Sequence, residues 1–223
     1  EADVFVGREQ LVAELAARVL DRRLVVVTGS SGSGKSSLVL AGLVPLVQSG
    51  RLPGGGPWRV TVTTPGPDPL RTFDELDELD VPGAQLLIID QFEEALVSSP
   101  TAVDALVAKL VDLALDPAVD ARIVLVIRAD QYPHLAEVRH FADLVEESLL
   151  VVGRPTEHEL RRIVTEPAER AGCRVEPGLV EAIVADVGIS GGALPLVSAA
   201  LVALWEARVD EILTLDRCRS EGG

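Results

Sequence analysis

The segment from Gly29 to Ser36 carries the residues best suited to bind a phosphate. It reads Gly-Ser-Ser-Gly-Ser-Gly-Lys-Ser and matches the phosphate-binding pattern G-x-x-x-x-G-K-[ST] at every fixed position. Its glycines let backbone N–H groups turn towards a phosphate, where a Cβ atom would collide or would forbid the loop conformation. We expect Lys35 to reach the β- and γ-phosphates and the Ser36 hydroxyl to coordinate Mg²⁺. A chance match in a loop rich in serine and glycine is the alternative.

Four charged residues that follow later apolar segments could complete this chemistry. Asp90 ends the apolar segment 86–89 and can hold Mg²⁺, or it can merely cap a turn. Glu93 or Glu94 could polarise an attacking water, unless both lie in the solvated first turn of a helix. Arg128 could contact the γ-phosphate or could pair with a neighbouring acid such as Asp130.

The elements that must position these residues alternate between apolar strands and helices up to residue 153. This order predicts an α/β fold, with a parallel sheet covered by helices on both faces. Ligands bind such sheets at the carboxyl ends of the strands, where Gly29, Asp90 and Arg128 are expected to lie. Strands are predicted at residues 24–28, 58–63, 86–90, 122–128 and 148–152, and helices at 8–20, 38–44, 70–79 and 100–115.

Beyond residue 153 the sequence predicts a small, all-helical unit. Thr156 and Glu159 form a capping box at the start of its first helix, which Pro167 is expected to kink or restart. Two further helices are predicted to begin near Pro177 and Leu196. The predicted divisions of the chain are residues 1–153, 154–208 and 209–223.

Composition limits the classes of partner. The net charge of −15 disfavours a general nucleic-acid surface, which needs clustered Lys and Arg. We find no apolar segment of about 20 residues and no signal-peptide pattern, so we expect a cytoplasmic protein without a membrane span. Cys173 and Cys218 are too few for a metal site with four cysteine ligands and are expected to be free thiols. The histidines, His134, His140 and His158, show no ligand spacing.

Six segments together resemble a known family. They are Val-Phe-Val-Gly-Arg-Glu at residues 4–9, the phosphate loop at 29–37, Ala-Gly-Leu-Val-Pro at 41–45, Asp-Gln-Phe-Glu-Glu at 90–94, Arg-Ala-Asp at 128–130, and Gly-Ala-Leu-Pro-Leu at 192–196. In this order they resemble the novel STAND NTPases, which are bacterial relatives of the apoptotic, plant-resistance and NACHT nucleotide-binding ATPases. The resemblance extends over nearly the whole chain.

The resemblance implies an ASCE-type P-loop NTPase core, then a helical domain and the start of a winged-helix-like region at residue 209. It places Val6, Gly7 and Arg8 beside the adenine, Glu93 and Glu94 at hydrolysis, and Arg128 as a sensor of the γ-phosphate. It places Pro195 against the nucleotide, although Gly-Ala-Leu-Pro is one residue longer than the family's Gly-x-Pro element. The implied ligands of phosphate and metal are Gly29, Ser30, Ser31, Gly32, Ser33, Gly34, Lys35, Ser36, Ser37 and Asp90.

The function implied by this resemblance is an ATP/ADP-dependent switch in a multidomain signalling or defence protein. Such a module binds Mg-ATP, hydrolyses it slowly and can form homo-oligomers when activated, with effector and sensor domains elsewhere in the chain. Two alternatives remain open, a nucleotide-gated scaffold with negligible turnover and a P-loop phosphotransferase. The two glutamates after Asp90 favour activation of water over binding of a phosphate acceptor.

Overall fold

A computed structural model describes residues 5–52, 58–66, 83–136, 141, 145, 148–189, 194–206, 208 and 211–214. The helix predicted at residues 70–79 lies outside them, as do residues 190–193. The chain divides into two compact units. The sheet unit contains Gln10–Ser30 and Lys35–Val152. The helical unit contains the N-terminal segment up to Glu9, the loop tip Ser31–Gly34 and the chain from Gly153 onward.

Within the described residues, the sheet unit contains five parallel strands in the order β2-β3-β4-β1-β5. β4 therefore separates β1, which leads into the phosphate loop, from β3, which leads into Asp90. The register places Gly29 at the end of β1 opposite Arg128 at the end of β4. The strands are β1 (Leu24–Gly29), β2 (Arg59–Thr63), β3 (Gln85–Ile89), β4 (Ala121–Arg128) and β5 (Leu149–Val151).

Both faces of this sheet are covered, because alternate residues of its central strands point to opposite faces and the apolar ones are buried. On one face Leu87, Ile89 and Leu125 pack in a cluster with Leu106 and Leu110 of the helix that precedes β4. The residues between them in the strands, which point to the other face, are also buried, namely Val25, Val27, Leu86, Ile88, Val124 and Val126. The continuous apolar segments of the sequence therefore correspond to central strands, as predicted.

The helices of the sheet unit follow the predicted order. Ser99 caps α4 (Pro100–Leu115), where its side chain accepts from the Ala102 N–H at 3.3 Å and Pro100 occupies the first position. The predicted helix after the phosphate loop contains a π-helical stretch. Pro45 has no N–H to donate to the carbonyl four residues earlier, and the wider π turns lie just before it. The bounds are α1 (Glu9–Asp21), α2 (Lys35–Ser37), the π stretch Leu38–Leu43, α3 (Val44–Gln48), a 3₁₀ helix Phe92–Val97, α4 (Pro100–Leu115) and α5 (Tyr132–Ala136).

The described part of the helical unit comprises α6 (Glu157–Arg170), α7 (Pro177–Ile189) and α8 (Leu194–Glu206). The predicted capping box is confirmed, since the Thr156 hydroxyl accepts from the Glu159 N–H at 3.2 Å and the Glu159 carboxylate accepts from the Thr156 N–H at 2.6 Å. Apolar side chains from all three helices form one core, namely Leu160, Val164, Ala168, Leu179, Val180, Ile183, Val184, Val197 and Leu204.

Two expectations for this unit need correction. α6 runs through Pro167 without a restart, because Val164 and Ala168 on either side of it are held in the core, and a kink at Pro167 stays a prediction. The unit is also not purely helical, since β6 (Arg174–Val175) pairs in parallel with β7 (Ile212–Leu213). Strands of two residues are too short to leave a periodic pattern in a sequence.

Candidate functional site

The phosphate loop connects the end of β1 to the start of α2. Gly32 and Gly34 have φ values of 70° and 90°, a region that side chains with a Cβ rarely adopt, so glycine is required at both positions. The Lys35 ammonium is buried and donates to the backbone carbonyls of Gly29 at 3.0 Å and Ser30 at 2.9 Å. The lysine therefore lies against the first residues of its own loop, at the carboxyl edge of the sheet.

Ser36 and Asp90 meet although they follow different strands. The Ser36 hydroxyl donates to Asp90 Oδ1 at 3.0 Å, and the Gln91 N–H donates to the same oxygen at 3.0 Å. Asp90 is buried, and Gln91 after it has φ 55° and ψ 44°, a left-handed conformation that costs energy for a residue with a Cβ. A hydroxyl and a carboxylate oxygen converge at this point, and both are ligand types that Mg²⁺ takes in proteins.

The two glutamates after Asp90 occupy different surroundings in the first turn of the 3₁₀ helix. Glu93 Oε2 accepts from the Arg128 backbone N–H at 3.2 Å, so its carboxylate lies at the end of β4. Glu93 also interacts with Lys35 electrostatically, whereas Glu94 is not among the groups that shift the pKa of that lysine. The structure thus places the Glu93 carboxylate at the end of β4, where its charge acts on Lys35.

Arg128 is exposed and pairs with Asp130. Its Nε and Nη2 donate to the two carboxylate oxygens of Asp130 at 3.0 and 2.9 Å. These hydrogen bonds raise the pKa of the Arg128 guanidinium and lower the pKa of the Asp130 carboxyl. This is the pairing that the sequence left open for Arg128. A role as γ-phosphate sensor stays a prediction, and it would require the arginine to leave this pair or to contact phosphate together with it.

Burial lowers the pKa of the Lys35 ammonium, and nearby charges modify that effect. Glu93 opposes it most strongly, Arg128 adds to it, and Asp90 and Asp130 oppose it. The lysine thus interacts with three carboxylates and one other cation within the sheet unit. Asp130 was named in the sequence only as a partner of Arg128, and its influence on Lys35 depends on folding, which the sequence does not display.

Within the helical unit, the loop tip contacts residues from both ends of the chain. Arg8 Nη1 donates to the Ser33 carbonyl at 2.8 Å, and its Nη2 donates to the Gly153 carbonyl at 2.8 Å. A Cβ on Gly34 would lie 3.3 Å from Leu194 Cδ1. The residue of α8 that approaches the loop is therefore Leu194, while Pro195 beside it is exposed. The sequence pointed to the pair Leu194 and Pro195 but assigned the contact with a nucleotide to Pro195, and that contact stays a prediction.

The remaining candidates of the sequence differ in exposure. Val6 and Gly7 are buried, Ser30, Ser31 and Ser37 are exposed, and their predicted contacts with a nucleotide stay predictions. The side-chain hydroxyls of Thr28 and Ser33 are buried without a hydrogen-bond partner among the described residues. In that part of the chain, His134 and His158 are exposed, and no group of three or more His, Cys, Asp or Glu residues is arranged to hold a metal ion.

The sheet order, the glycine loop and the Ser36–Asp90 pair define a P-loop NTPase fold of the ASCE type. The model of the family described as Novel STAND NTPase 1 matches residues 1–223, so the chain belongs to this family. No curated protein sequence matches the chain significantly. As for membranes, the described residues include no helix that is both long and apolar enough to cross one.

Solved structures of P-loop ATPases share this fold. The Orc1 protein of Aeropyrum pernix, solved with DNA, has 17% identity and a TM-score of 0.67, and the match covers 98% of this chain but 65% of Orc1. Domain III of DnaA, the replication initiation protein of Thermotoga maritima, has 15% identity, a TM-score of 0.61 and coverages of 94% and 87%. RuvB of Thermotoga maritima, a Holliday junction branch migration motor, has 16% identity, a TM-score of 0.59 and coverages of 97% and 68%. At such identities the likeness shows the fold alone.

Proposed function

We propose that this chain binds Mg-ATP and hydrolyses it to ADP and phosphate. The observation that carries the proposal is the hydrogen bond of 3.0 Å between Ser36 and Asp90, next to the buried Lys35. A hydroxyl and a carboxylate from separate strands meet at the carboxyl edge of the sheet, where parallel α/β sheets bind ligands. The oxygens of Ser36 and Asp90 are suitable ligands for Mg²⁺, and the Lys35 ammonium is a suitable hydrogen-bond donor to a polyphosphate.

In this proposal each residue has a separate task. The N–H groups of the glycine loop and the Lys35 ammonium bind the β- and γ-phosphates, and Ser36 and Asp90 hold Mg²⁺. When bound, Mg²⁺ neutralises phosphate charge that develops during transfer. Glu93 orients the attacking water and accepts its proton, because its carboxylate interacts electrostatically with Lys35 and accepts a hydrogen bond from the Arg128 N–H. Arg128 contributes positive charge at the same edge.

We further propose that hydrolysis is slow and that the bound nucleotide acts as a conformational and oligomerisation switch in a larger cytoplasmic signalling protein. Membership in the novel STAND family supports this role. The chain spans only 65% of the length of Orc1. Effector and sensor domains, which would lie outside this sequence, are therefore proposed here. Orc1 was solved with DNA, but we propose no direct nucleic-acid contact here, because the net charge of −15 disfavours binding to phosphate backbones.

The proposal is tested by replacing the predicted metal ligand without changing its shape. Asp90→Asn keeps an oxygen that can accept from Gln91 and Ser36 but removes the charge that Mg²⁺ requires. Phosphate release at saturating ATP should fall roughly tenfold or more, and half-maximal activity should need more Mg²⁺. Asp104→Asn, at an exposed position of α4, is the matched control and should leave both quantities unchanged.

Two results would contradict this proposal in different ways. A wild-type chain that binds no ATP in the presence of Mg²⁺ would refute the nucleotide function as a whole. A wild-type chain that hydrolyses ATP while Asp90→Asn shows the same rate and the same Mg²⁺ dependence would refute only the assignment of Asp90 to the metal.

A further inference from the structure

Arg8 contacts the tip of the phosphate loop and is among the most buried charged residues that the structure describes, with 7% of its surface exposed. Both of its terminal nitrogens donate to backbone carbonyls at 2.8 Å, one to Ser33 in the loop tip and one to Gly153. Its Nε lies 3.8 Å from Glu159 Oε1 at the start of α6 and makes no hydrogen bond among the described residues. The two terminal nitrogens of a planar guanidinium can each donate to a separate carbonyl, whereas a lysine has a single nitrogen for both.

Burial of the charged Arg8 side chain costs desolvation free energy. Burial lowers the pKa of its guanidinium, and the charge of Glu159 partly opposes that effect. A buried arginine persists where its hydrogen bonds compensate for the loss of water. Its two strong acceptors are both backbone carbonyls, so the geometry of the Arg8 side chain fixes the direction of two peptide groups.

The segment that carries Arg8 is anchored on α6 at both neighbouring residues. A Cβ on Gly7 would lie 2.8 Å from Ile163 Cγ1 and 2.9 Å from the Glu159 carbonyl, so only glycine permits this approach. Glu9 accepts from both terminal nitrogens of Arg162, at 2.9 and 2.7 Å. Both neighbours of Arg8 are therefore held against α6, which fixes the backbone position from which the Arg8 side chain extends.

We propose that Arg8 is a positioning residue of the phosphate loop. A trans peptide group points its C=O and its N–H in opposite directions, so fixing the Ser33 carbonyl on Arg8 turns the Gly34 N–H away from Arg8. That N–H directly precedes Lys35 and is one of those expected to bind phosphate. With both terminal nitrogens engaged by the backbone, Arg8 supports the phosphate site rather than reading the base. The inference rests on the proposed nucleotide binding.

The test compares two ligands of the 223-residue chain, ATP and inorganic tripolyphosphate, which has phosphates but no base. Each is titrated against a fluorescent ATP analogue at constant ionic strength. If Arg8 positions the loop, Arg8→Ala should weaken both ligands by the same factor, roughly tenfold to a hundredfold. If Arg8 contacts the adenine, ATP should weaken while tripolyphosphate does not, and the inference is overturned.

Two further variants separate geometry from charge. Arg8→Lys keeps the positive charge but can serve only one carbonyl well, so both ligands should still bind more weakly than to the wild type. Arg161→Gln removes a positive charge from α6 at a half-buried residue that pairs with Glu181, and it should leave both affinities unchanged. Wild-type affinity in Arg8→Lys would show that charge alone matters and would overturn the proposal.

The remaining outcomes are also decisive. If Arg8→Ala does not fold, Arg8→Lys is used for the same comparison of ATP with tripolyphosphate. Failure of both variants to fold would assign Arg8 to the stability of the helical unit and would overturn its assignment to the loop. A wild-type chain that binds neither ligand would refute the proposed function itself, whereas normal wild-type binding with unchanged Arg8 variants would refute only this inference.

Discussion

Glu93 and Glu94 follow Asp90 equally closely in the sequence, but the structure predicts different effects when each is replaced. Glu93 accepts from the Arg128 N–H at 3.2 Å and is the group that raises the pKa of Lys35 most strongly against the effect of burial. Glu94 makes neither interaction among those the structure describes. We therefore predict that Glu93→Gln abolishes most hydrolysis and that Glu94→Gln does not.

The size of the effect follows from what glutamine preserves. Its side-chain carbonyl can still accept from the Arg128 N–H, so the end of β4 should keep its position. What is lost is the capacity to accept a proton, and positioned general bases contribute roughly 10²–10⁴-fold to a rate. We expect a loss of this order in turnover, about 2.7–5.5 kcal/mol in activation free energy. Affinity for ATP should stay equal or rise, because one negative charge near the phosphates is gone.

The assay is single-turnover hydrolysis of ATP with enzyme in excess, together with a binding titration of each variant. Single turnover isolates the chemical step from product release, which limits turnover in many ATPases. Glu94→Gln is the matched control, because it removes the same charge from the next residue of the same 3₁₀ helix. If Glu94→Gln hydrolyses ATP slowly and Glu93→Gln hydrolyses it at the wild-type rate, Glu94 and not Glu93 is the general base. If both variants hydrolyse ATP at the wild-type rate, neither glutamate takes part in catalysis.

Three further predictions concern the phosphate loop and the helical unit. Lys35→Ala should weaken binding of a fluorescent ATP analogue by about 2–5 kcal/mol, while the far-ultraviolet circular dichroism stays unchanged, because removal of a buried ammonium relieves its desolvation. Gly7→Ala should lower the free energy of unfolding by about 2–4 kcal/mol in urea denaturation. Gly172→Ala should cost only about 1–2 kcal/mol, since its φ is also positive but no described residue lies within 4 Å of a Cβ at this position. Thr156→Ala should cost about 1 kcal/mol in the same assay through loss of the helix cap.

The fold was largely predictable because each central strand is a short, continuous apolar segment. Buried parallel strands need such segments, and the glycine loop after the first of them fixes where the chain turns. The strand order was not readable from the residues themselves, since an apolar strand fits equally well beside several others. The order β2-β3-β4-β1-β5 follows from tertiary packing, and only the resemblance to a family with an ASCE core implied it beforehand.

The candidate site was predictable in its parts but not in its contacts. Lys35, Ser36 and Asp90 belong to patterns whose chemistry is local, and the structure brings the latter two within hydrogen-bonding distance. The difference between Glu93 and Glu94 depends on the left-handed conformation of Gln91, at φ 55°, which sets the direction of the following helix. A non-glycine residue gives no sequence signal for that conformation, because tertiary contacts impose it.

The same reasoning explains why the helical unit was predicted least well. Its helices have caps and prolines that mark their starts, but its contacts with the loop tip come from residues that look ordinary in sequence. Leu194 is an apolar residue at a helix start, and Glu159 reads as half of a capping box, yet they lie within 4 Å of a Cβ on Gly34 and of Arg8 Nε respectively. These contacts depend on which helices and loops pack together in the fold, and the periodic pattern of apolar residues in a sequence does not predict that.

The charges at the carboxyl edge of the sheet give a physical reason for a requirement for metal. The side chains that interact with Lys35 are Asp90, Glu93, Arg128 and Asp130. Together with Lys35 they form a cluster of three carboxylates and two cations. A triphosphate adds several negative charges to a cluster that is already slightly negative. Lys35 and Arg128 alone cannot balance them, since Arg128 is already paired with Asp130. If ATP binds at this edge as proposed, we expect it to need a divalent cation, which the oxygens of Ser36 and Asp90 would hold.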